Sequence, residues 1–274
     1  MKKNIIIGLD IGTLGIKIVA ARSGGGEAEP QILSAVYSLS GGMRRGVVID
    51  INDVVAALQE AVVKHEKVFG SSVNHACVSI GGSHIEVRSS RGAVAVSRAD
   101  GEISEDDIER ALKSAQAISL PQNRTILHVI PRDFMVDSER GIKYPLGMTG
   151  VRLEVETLIM DGSAPAIKNL SKCLEEADIN IDNLVLNTLA ASTAVLDKRQ
   201  KELGVLMLDI GAGTTGMAVF EEGNLLYAKI LPIGSGHITN DLAVGLRTEI
   251  DIAERIKLEY GAAAAEAVSK KEVI

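Results

Sequence analysis

Val205-Leu-Met-Leu-Asp209-Ile-Gly211-Ala-Gly213-Thr214-Thr215-Gly216-Met-Ala-Val-Phe220 reads as an apolar run, one carboxylate, a turn of glycines and threonines, and a second apolar run. The first run delivers Asp209 to the edge of a tight turn. Glycines 211, 213 and 216 are expected to enter left-handed backbone and to let a ligand approach with no Cβ in the way. Because a strand-like run follows the turn, the loop reads as a β-hairpin rather than a strand-to-helix phosphate loop. Backbone N–H groups fanned around such glycines form an anion nest, with the hydroxyls of Thr214 and Thr215 among them. A carboxylate beside that nest repels a phosphate unless a divalent cation lies between them. Magnesium, which keeps much of its water shell, suits that place.

The N-terminus carries a twin: Ile5-Ile-Ile-Gly-Leu-Asp10-Ile-Gly12-Thr13-Leu-Gly15-Ile-Lys17-Ile-Val-Ala20. Here Lys17 alternates out of an apolar second strand, as suits a cation reaching back to a phosphate. One such hairpin reads equally well as a plain turn. Two of them, each after a buried strand and each with a threonine in the turn, predict two similar domains facing one nucleotide.

Outward from the hairpins, the pattern is that of an α/β chain. A strand over 31–37, a helix over 54–69 capped by Asp50 or Asn52, and a strand over 76–80 extend the first unit. From His84 to Asp161 the character changes. Strands are expected at 85–88, 93–96, 126–130, 133–137 and 152–160, with a helix over 105–117 opened by Ser104 and Asp107 as a weak capping box. This stretch reads as an α+β insertion that serves as an interaction surface, since it lacks an acid/base or nucleophile–base constellation. The main unit then resumes. A helix runs from Pro165 to Ala177, a strand covers 181–186, and an Ala-rich helix over 188–196 crosses to the second hairpin. A strand over 225–231 and helices over 237–246 and 251–260 follow, and Ala262 is expected to begin another helix. Glu254 and Lys257, three apart on one helical face, read from spacing alone as a solvated ion pair.

Composition narrows the function. With 46% hydrophobic and 24% charged residues the 274-residue chain is of soluble globular type. No window approaches a membrane span, and the start is too short for a signal peptide, so a cytoplasmic protein is expected. A net charge of −7 and only seven aromatic residues give nucleic-acid binding little support. Cys77 and Cys173 read as buried thiols. His128, between Leu127 and Val129, reads as a satisfied strand residue rather than a ligand.

Several stretches together resemble the FtsA family of bacterial cell-division proteins. That family lies within the superfamily of actin, heat-shock chaperones and sugar kinases. The stretches are Gly-Leu-Asp-Ile-Gly-Thr at 8–13, Gly-Gly-Met-Arg-Arg-Gly-Val-Val-Ile-Asp at 41–50, Ile-Leu-His-Val-Ile-Pro at 126–131, Pro-Leu-Gly-Met-Thr-Gly-Val-Arg-Leu-Glu at 145–154, Pro-Ile-Gly at 232–234 and Ala-Glu-Arg-Ile-Lys at 253–257. The hairpins indicate only the superfamily; the motifs at 126–154 are those of the family. The resemblance implies an actin-like (ribonuclease-H-like) two-domain fold with an inserted α+β subdomain. Its first domain would be 1–83 with 162–190, its insertion 84–161, and its second, incomplete domain 191–274.

The resemblance also implies roles. Asp10, Gly12, Thr13 and Lys17 would hold phosphate, as would Asp209, Gly211, Gly213, Thr214 and Thr215. Asp10 and Asp209 would hold Mg2+ through water. Asn187 would position the attacking water. Glu254 and Lys257 would flank the ribose and base of ATP, which overrides the reading from spacing. The implied function is that of an ATP-binding scaffold with slow or absent hydrolysis. It would polymerise into filaments, bind FtsZ, meet other division proteins through 84–161, and work at the cytoplasmic face of the membrane at the septum. Two departures bear on this. Gly216 stands where the family commonly has Asp, removing a carboxylate near the metal, which should weaken hydrolysis more than binding. The chain also stops before a Gly-rich adenosine motif and a C-terminal amphipathic membrane helix that similar proteins have. At this length low nucleotide affinity and no direct tether are implied. A pilus-assembly scaffold of the PilM type and a small-molecule kinase of the same superfamily are the alternatives.

Overall fold

The structure is a computed structural model that describes residues 5–24, 29–264 and 266. Strands β1 (Ile5–Ile11) and β2 (Gly15–Arg22) form the first hairpin, with Asp10 opposite Lys17, and β3 (Gln31–Leu39) pairs antiparallel with β2. A small hairpin, β4 (Met43–Arg44) and β5 (Val47–Val48), leads into α1 (Ile51–Phe69). Asp50 is the cap of α1, accepting from the Asp53 N–H, and Gly70 ends it in left-handed backbone at φ 83°. β6 (His75–Ile80) then lies parallel to β1.

The next unit comprises β7 (Glu86–Ala95), α2 (Glu105–Gln116), β8 (Arg124–Val136), β9 (Glu139–Ile142) and β10 (Arg152–Ser163). Its sheet runs β7-β10-β8-β9. The strands expected at 85–88 and 93–96 are one strand, paired without interruption to β10 from Glu86 to Ala95. Those expected at 126–130 and 133–137 are also one. Pro131 sits beside a register shift opposite Glu156 and Thr157, where a strand tolerates a residue with no N–H. At the foot of this sheet Asp161, wholly buried, is paired with Arg124 and Arg88, as a buried carboxylate must be.

Ser104 and Asp107 form the full capping box of α2, and the Asp107 carboxylate, also wholly buried, accepts from the N–H groups of Ser97 and Ser104 and from the Ser104 hydroxyl. Burial pushes this carboxyl upward, but those donors from Ser104 and Ser97 outweigh it and hold it well below the usual carboxylate range. Its contribution to stability is therefore complete above the unfolded value, near pH 4, and is lost as pH falls below that toward the folded value. Asp107→Asn is expected to be less stable at neutral pH and to converge on the parent in acid. Thermal melts of both from neutral pH to about pH 2.5 check this; a difference constant across the series would contradict it.

The remaining elements are α3 (Ala164–Glu176), β11 (Asn180–Leu186), α4 (Asn187–Val195), α5 (Lys198–Leu203), β12 (Val205–Ile210), β13 (Thr215–Glu221), β14 (Asn224–Leu231), α6 (Ser235–Leu246) and α7 (Ile250–Tyr260). The first sheet has the order β11-β6-β1-β2-β3, and the sheet of the second hairpin the order β12-β13-β14. Residues 262–264 are not helical, contrary to the expectation there; apart from residue 266, the rest of that expected helix lies outside the described residues.

Three apolar clusters result. One joins the first sheet to α1 and α3 through Leu9, Ile18, Leu58, Val78 and Leu174. The second joins the feet of β8 and β10 to the second hairpin's sheet through Leu158, Met160, Met207, Phe220 and Ile230. The third, with Ile103, Ala111, Phe134 and Leu153, belongs to the inserted sheet and α2. His128 serves this framework, since its Nε2 accepts from the Leu186 N–H at 3.0 Å and burial pushes the ring's pKa down, keeping it neutral. Cys173 is buried, whereas Cys77 is only half-buried.

Candidate functional site

The two hairpin turns meet. Thr13 and Gly213 are so close that a Cβ on Gly213 would lie 2.9 Å from the Thr13 hydroxyl. This proximity is why position 213 is glycine; Gly12 and Gly211 instead lie close to the carbonyls of Gly15 and Thr214 in their own turns. None of Gly12, Gly211, Gly213 and Gly216 has a positive φ, so the expectation of left-handed backbone is corrected: the turns need absent side chains, and their backbone angles are ordinary. The turns close on themselves, Gly12 N–H to the Gly15 carbonyl at 3.0 Å and Gly211 N–H to the Thr214 carbonyl at 2.9 Å. Among the described residues, the N–H groups of Thr13, Leu14, Ala212 and Gly213 have no backbone acceptor.

Between the hairpins lies a cavity of about 270 Å³ lined by Asp10, Gly12, Thr13, Lys17, Asn187, Asp209, Gly211, Gly213 and Thr214. Of the residues expected to hold phosphate in the second hairpin, Thr215 lies outside it; its hydroxyl donates to the Ile233 carbonyl at 2.8 Å and ties the hairpin to the loop before α6. A second cavity, about 330 Å³, adjoins through Thr13, Ala212, Gly213 and Ser235 and is walled by Glu254 and Lys257. These two do form an ion pair, Nζ to carboxylate 2.6 Å, but a partly buried one shared with Thr239. The Lys257 ammonium, then the Thr239 hydroxyl, hold Glu254 below the usual carboxylate range.

The charges in the first cavity are arranged around two carboxylates. Asp10 accepts from the Ser79 hydroxyl and from Lys17 Nζ, the latter at 2.7 Å. Asp209 accepts from Asn187 Nδ2 at 3.2 Å. Burial, then the charge of Asp10, push Asp209 above the usual carboxylate range, and Lys17 only partly offsets them. Burial would lower Lys17, but its bond to Asp10 and the charges of Asp10 and Asp209 hold it above its ordinary value. Among the described residues no group of three or more His, Cys, Asp or Glu side chains is placed to cage a metal. Two carboxylates facing one cavity fit a cation that keeps most of its water, as magnesium does.

Gly216 sits opposite Asp209 in the β12–β13 register, and a Cβ there would overlap the Thr188 hydroxyl at the start of α4. With Thr188 in place, the missing side chain is a steric requirement of this chain. Sequence reasoning missed Ser79, Ser235 and Thr239, single hydroxyls in no motif. It also gave no role to Arg44 and Arg45, which line the second cavity.

Comparison with known proteins adds to this. The family model described as "SHS2 domain inserted in FTSA" matches residues 82–160, and that described as "Cell division protein FtsA" matches 206–273. Proteins named cell division protein FtsA from Pseudomonas aeruginosa and Bacillus subtilis are each 36% identical over 98% of this chain, and that from Borreliella burgdorferi is 38% identical over 96%. The chain spans 61–64% of the length of these relatives. Among solved structures, the PilM-PilN type IV pilus biogenesis complex matches with a TM-score of 0.69 at 17% identity, over 93% of this chain and 70% of that one. The ethanolamine utilization protein EutJ from Carboxydothermus hydrogenoformans matches with a TM-score of 0.54 at 16% identity, over 95% of this chain and 63% of that one. These two likenesses establish an actin-like fold and nothing finer.

Proposed function

Since the chain belongs to the family of cell division protein FtsA, we propose that it is an actin-like division scaffold whose two hairpins close around ATP and magnesium. One observation carries this reading. Asp10 and Asp209 face a single cavity from two separate hairpins, and the turns of those hairpins touch. Lys17 is paired with Asp10, so the Asp209 carboxylate faces the cavity with only the Asn187 amide as donor; an apolar or neutral ligand would leave its charge uncompensated, whereas a hydrated divalent cation carried in by a triphosphate would offset it locally. When bound, the cation supplies positive charge between the phosphates and the two carboxylates.

The chain's own residues do the rest. The N–H groups of Thr13, Leu14, Ala212 and Gly213 hold phosphate oxygens, and Lys17 keeps its proton so as to face anions. Glu254 and Lys257, fixed on each other and on Thr239, take the ribose and base. Asn187 is the residue for orienting water, but Asp209 occupies its amide and its Oδ1 accepts from the Thr188 N–H at 2.9 Å. So engaged, it suits slow hydrolysis or none, and the nucleotide acts as a conformational switch.

On this reading, residues 1–83 with 162–190 and residues 191–274 are the two domains that close. Residues 84–161 face neighbouring protomers and other division proteins. The protein assembles into filaments and binds FtsZ at the cytoplasmic face of the septal membrane. Among the described residues no helix is long and apolar enough to cross a membrane. A pilus-assembly role has only likeness of fold behind it.

Calorimetric titration with ATP, in magnesium and again in excess chelator, tests the reading. Saturable one-to-one binding that weakens on chelation is expected. The absence of binding in both conditions would remove ATP from the function, and binding indifferent to chelation would remove the cation.

A further inference from the structure

Within the Gly41–Asp50 segment, whose Asp50 caps α1, the two adjacent arginines have so far no task. The segment folds as the β4–β5 hairpin, whose turn is Arg45 and Gly46, both in left-handed backbone at φ 51° and 72°. Asn or Gly ordinarily occupies the first of these turn positions, because a β-carbon crowds the backbone there. A long cationic side chain held at such a place is a local conflict, and such conflicts gather at functional sites.

Contacts show why the tip is held. The Gly46 N–H donates to the Thr13 hydroxyl at 3.1 Å, and a Cβ on Gly213 would lie 3.0 Å from Arg45 Cα. The Arg45 carbonyl accepts from the Ser83 N–H at 3.3 Å, where the chain leaves β6 for the inserted unit. One turn therefore touches both phosphate hairpins. Its two arginines line the second cavity together with Ser235 and Lys257. Both arginines are exposed and, among the described residues, neither makes an ion pair or a side-chain hydrogen bond. The carboxylates on the far wall are Asp251 and Glu254, and Glu254 already serves Lys257 and Thr239.

We infer that Arg44 and Arg45 form a cationic wall of the nucleotide cleft and contact the phosphates of the bound nucleotide. This rests on the ATP reading above. The hairpins supply neutral N–H groups, and Lys17 is already committed to Asp10. Arg44 and Arg45 line the second cavity, which adjoins the first at Thr13, Ala212 and Gly213, and an uncommitted guanidinium on that side supplies charge-assisted donors to phosphate oxygens. The strained turn at Arg45 then has a reason, since an unstrained Gly or Asn would fold as well and lack the charge.

The decisive variant is Arg45→Gly, which relieves the left-handed strain while deleting the guanidinium; Arg44→Gln removes the neighbouring charge and nothing of the turn. Wild type and both variants are titrated with ATP, ADP and adenosine by calorimetry in magnesium, and each is melted without ligand. Arg45→Gly is expected to melt at or above the wild-type temperature and yet to bind ATP about tenfold more weakly, with adenosine unchanged. Arg44→Gln is expected to weaken ATP in the same phosphate-dependent way. ATP affinity unchanged in both variants overturns the inference and leaves the ATP reading standing. Equal loss for ATP and adenosine also overturns it, because the arginines would then act on Asp251 across the cleft and not on phosphate. A wild-type chain that binds none of the three ligands overturns the ATP reading and this inference with it.

Discussion

Asp209→Asn is expected to make the ligand-free protein more stable and its magnesium-dependent binding of ATP weaker, two changes of opposite sign from one atom pair. Without ligand, the Asp209 carboxylate is a liability. Burial and the charge of Asp10 both oppose its ionisation, and its pKa stands above the usual carboxylate value. A carboxyl with a raised folded pKa binds its proton more tightly folded than unfolded, so stability falls as pH rises from the ordinary carboxylate value through the folded one. Asparagine keeps the shape and an acceptor for Asn187 Nδ2 while removing the charge. The variant's apparent Tm should therefore exceed the parent's at pH 7 and lose that advantage in acid. With magnesium the balance reverses, because the carboxylate then accepts from the cation's water. Its removal should weaken ATP binding in magnesium by about tenfold to a hundredfold, the size of one or two charge-assisted hydrogen bonds. In chelator the same variant should bind ATP at least as well as the parent, since one negative charge facing the phosphates has gone. Melting curves against pH, with titrations in magnesium and in chelator, measure all three. A variant that binds ATP as the parent does in magnesium would exclude Asp209 from the cation's shell.

The hairpins were legible because their determinants are local. An apolar strand, an Asp-x-Gly turn and a second apolar strand need no distant partner to be recognised, and both formed where expected. The glycines were recognised for the wrong reason. None has a positive φ; a side chain on Gly12 or Gly211 would meet a carbonyl of its own turn, whereas on Gly213 it would meet Thr13 and Arg45 and on Gly216 Thr188, distant partners that no local reading contains. The inserted sheet shows the same limit. Ser89-Ser-Arg-Gly92 looks like a turn between two short strands, yet those residues continue β7, and Pro131 looks like a break within what is one strand, β8. The short helix α5 was missed although Asp197 and Gln200 form its capping box, a local signal that was there to be read. Glu254 and Lys257 illustrate a reading that spacing alone got half right. They are paired, as three-residue spacing predicts, but the pairing presents them to the cavity beside Ser235. Arg44 and Arg45 entered only as part of the 41–50 stretch that carries the family resemblance and were given no role, because a pair of arginines in a glycine-rich turn acquires a task only when folding sets it against Thr13 and Gly213.

Gly92→Ala is expected to be among the most destabilising single methyl groups that can be added to this chain. β7 pairs Gly92 with Val155 of β10 and places it directly under α2. The helix lies down there on two small residues, Ala111 and Ala115, both wholly buried. It is pinned by the Ser90 hydroxyl donating to the Ala115 carbonyl at 2.7 Å and the Ala93 N–H donating to the Ser114 hydroxyl at 3.3 Å. A Cβ on Gly92 would fall inside contact distance of the Ala111 carbonyl oxygen and the Ala115 nitrogen, backbone atoms that no rotamer can move. The helix must lift, and with it go the contacts that Ile103, Phe134, Leu153 and Val155 make in the third cluster. Overpacking of this kind costs about 3 kcal/mol or more. Gly245→Ala is the control, within α6 and with nothing inside 4 Å of its added methyl, and it should stabilise by about 0.5–1 kcal/mol. Because the third cluster shares no residue with either of the clusters beneath the two hairpins, the loss should be confined to the inserted unit. Hydrogen exchange should accelerate across α2, β7 and β8 in Gly92→Ala while β1, β2 and β6 stay protected, and ATP titration should still report binding. A variant whose α2 amides exchange at the parent's rate would mean that the helix does not rest on Gly92. Faster exchange throughout, with ATP binding lost, would mean that the inserted unit and the cleft unfold as one.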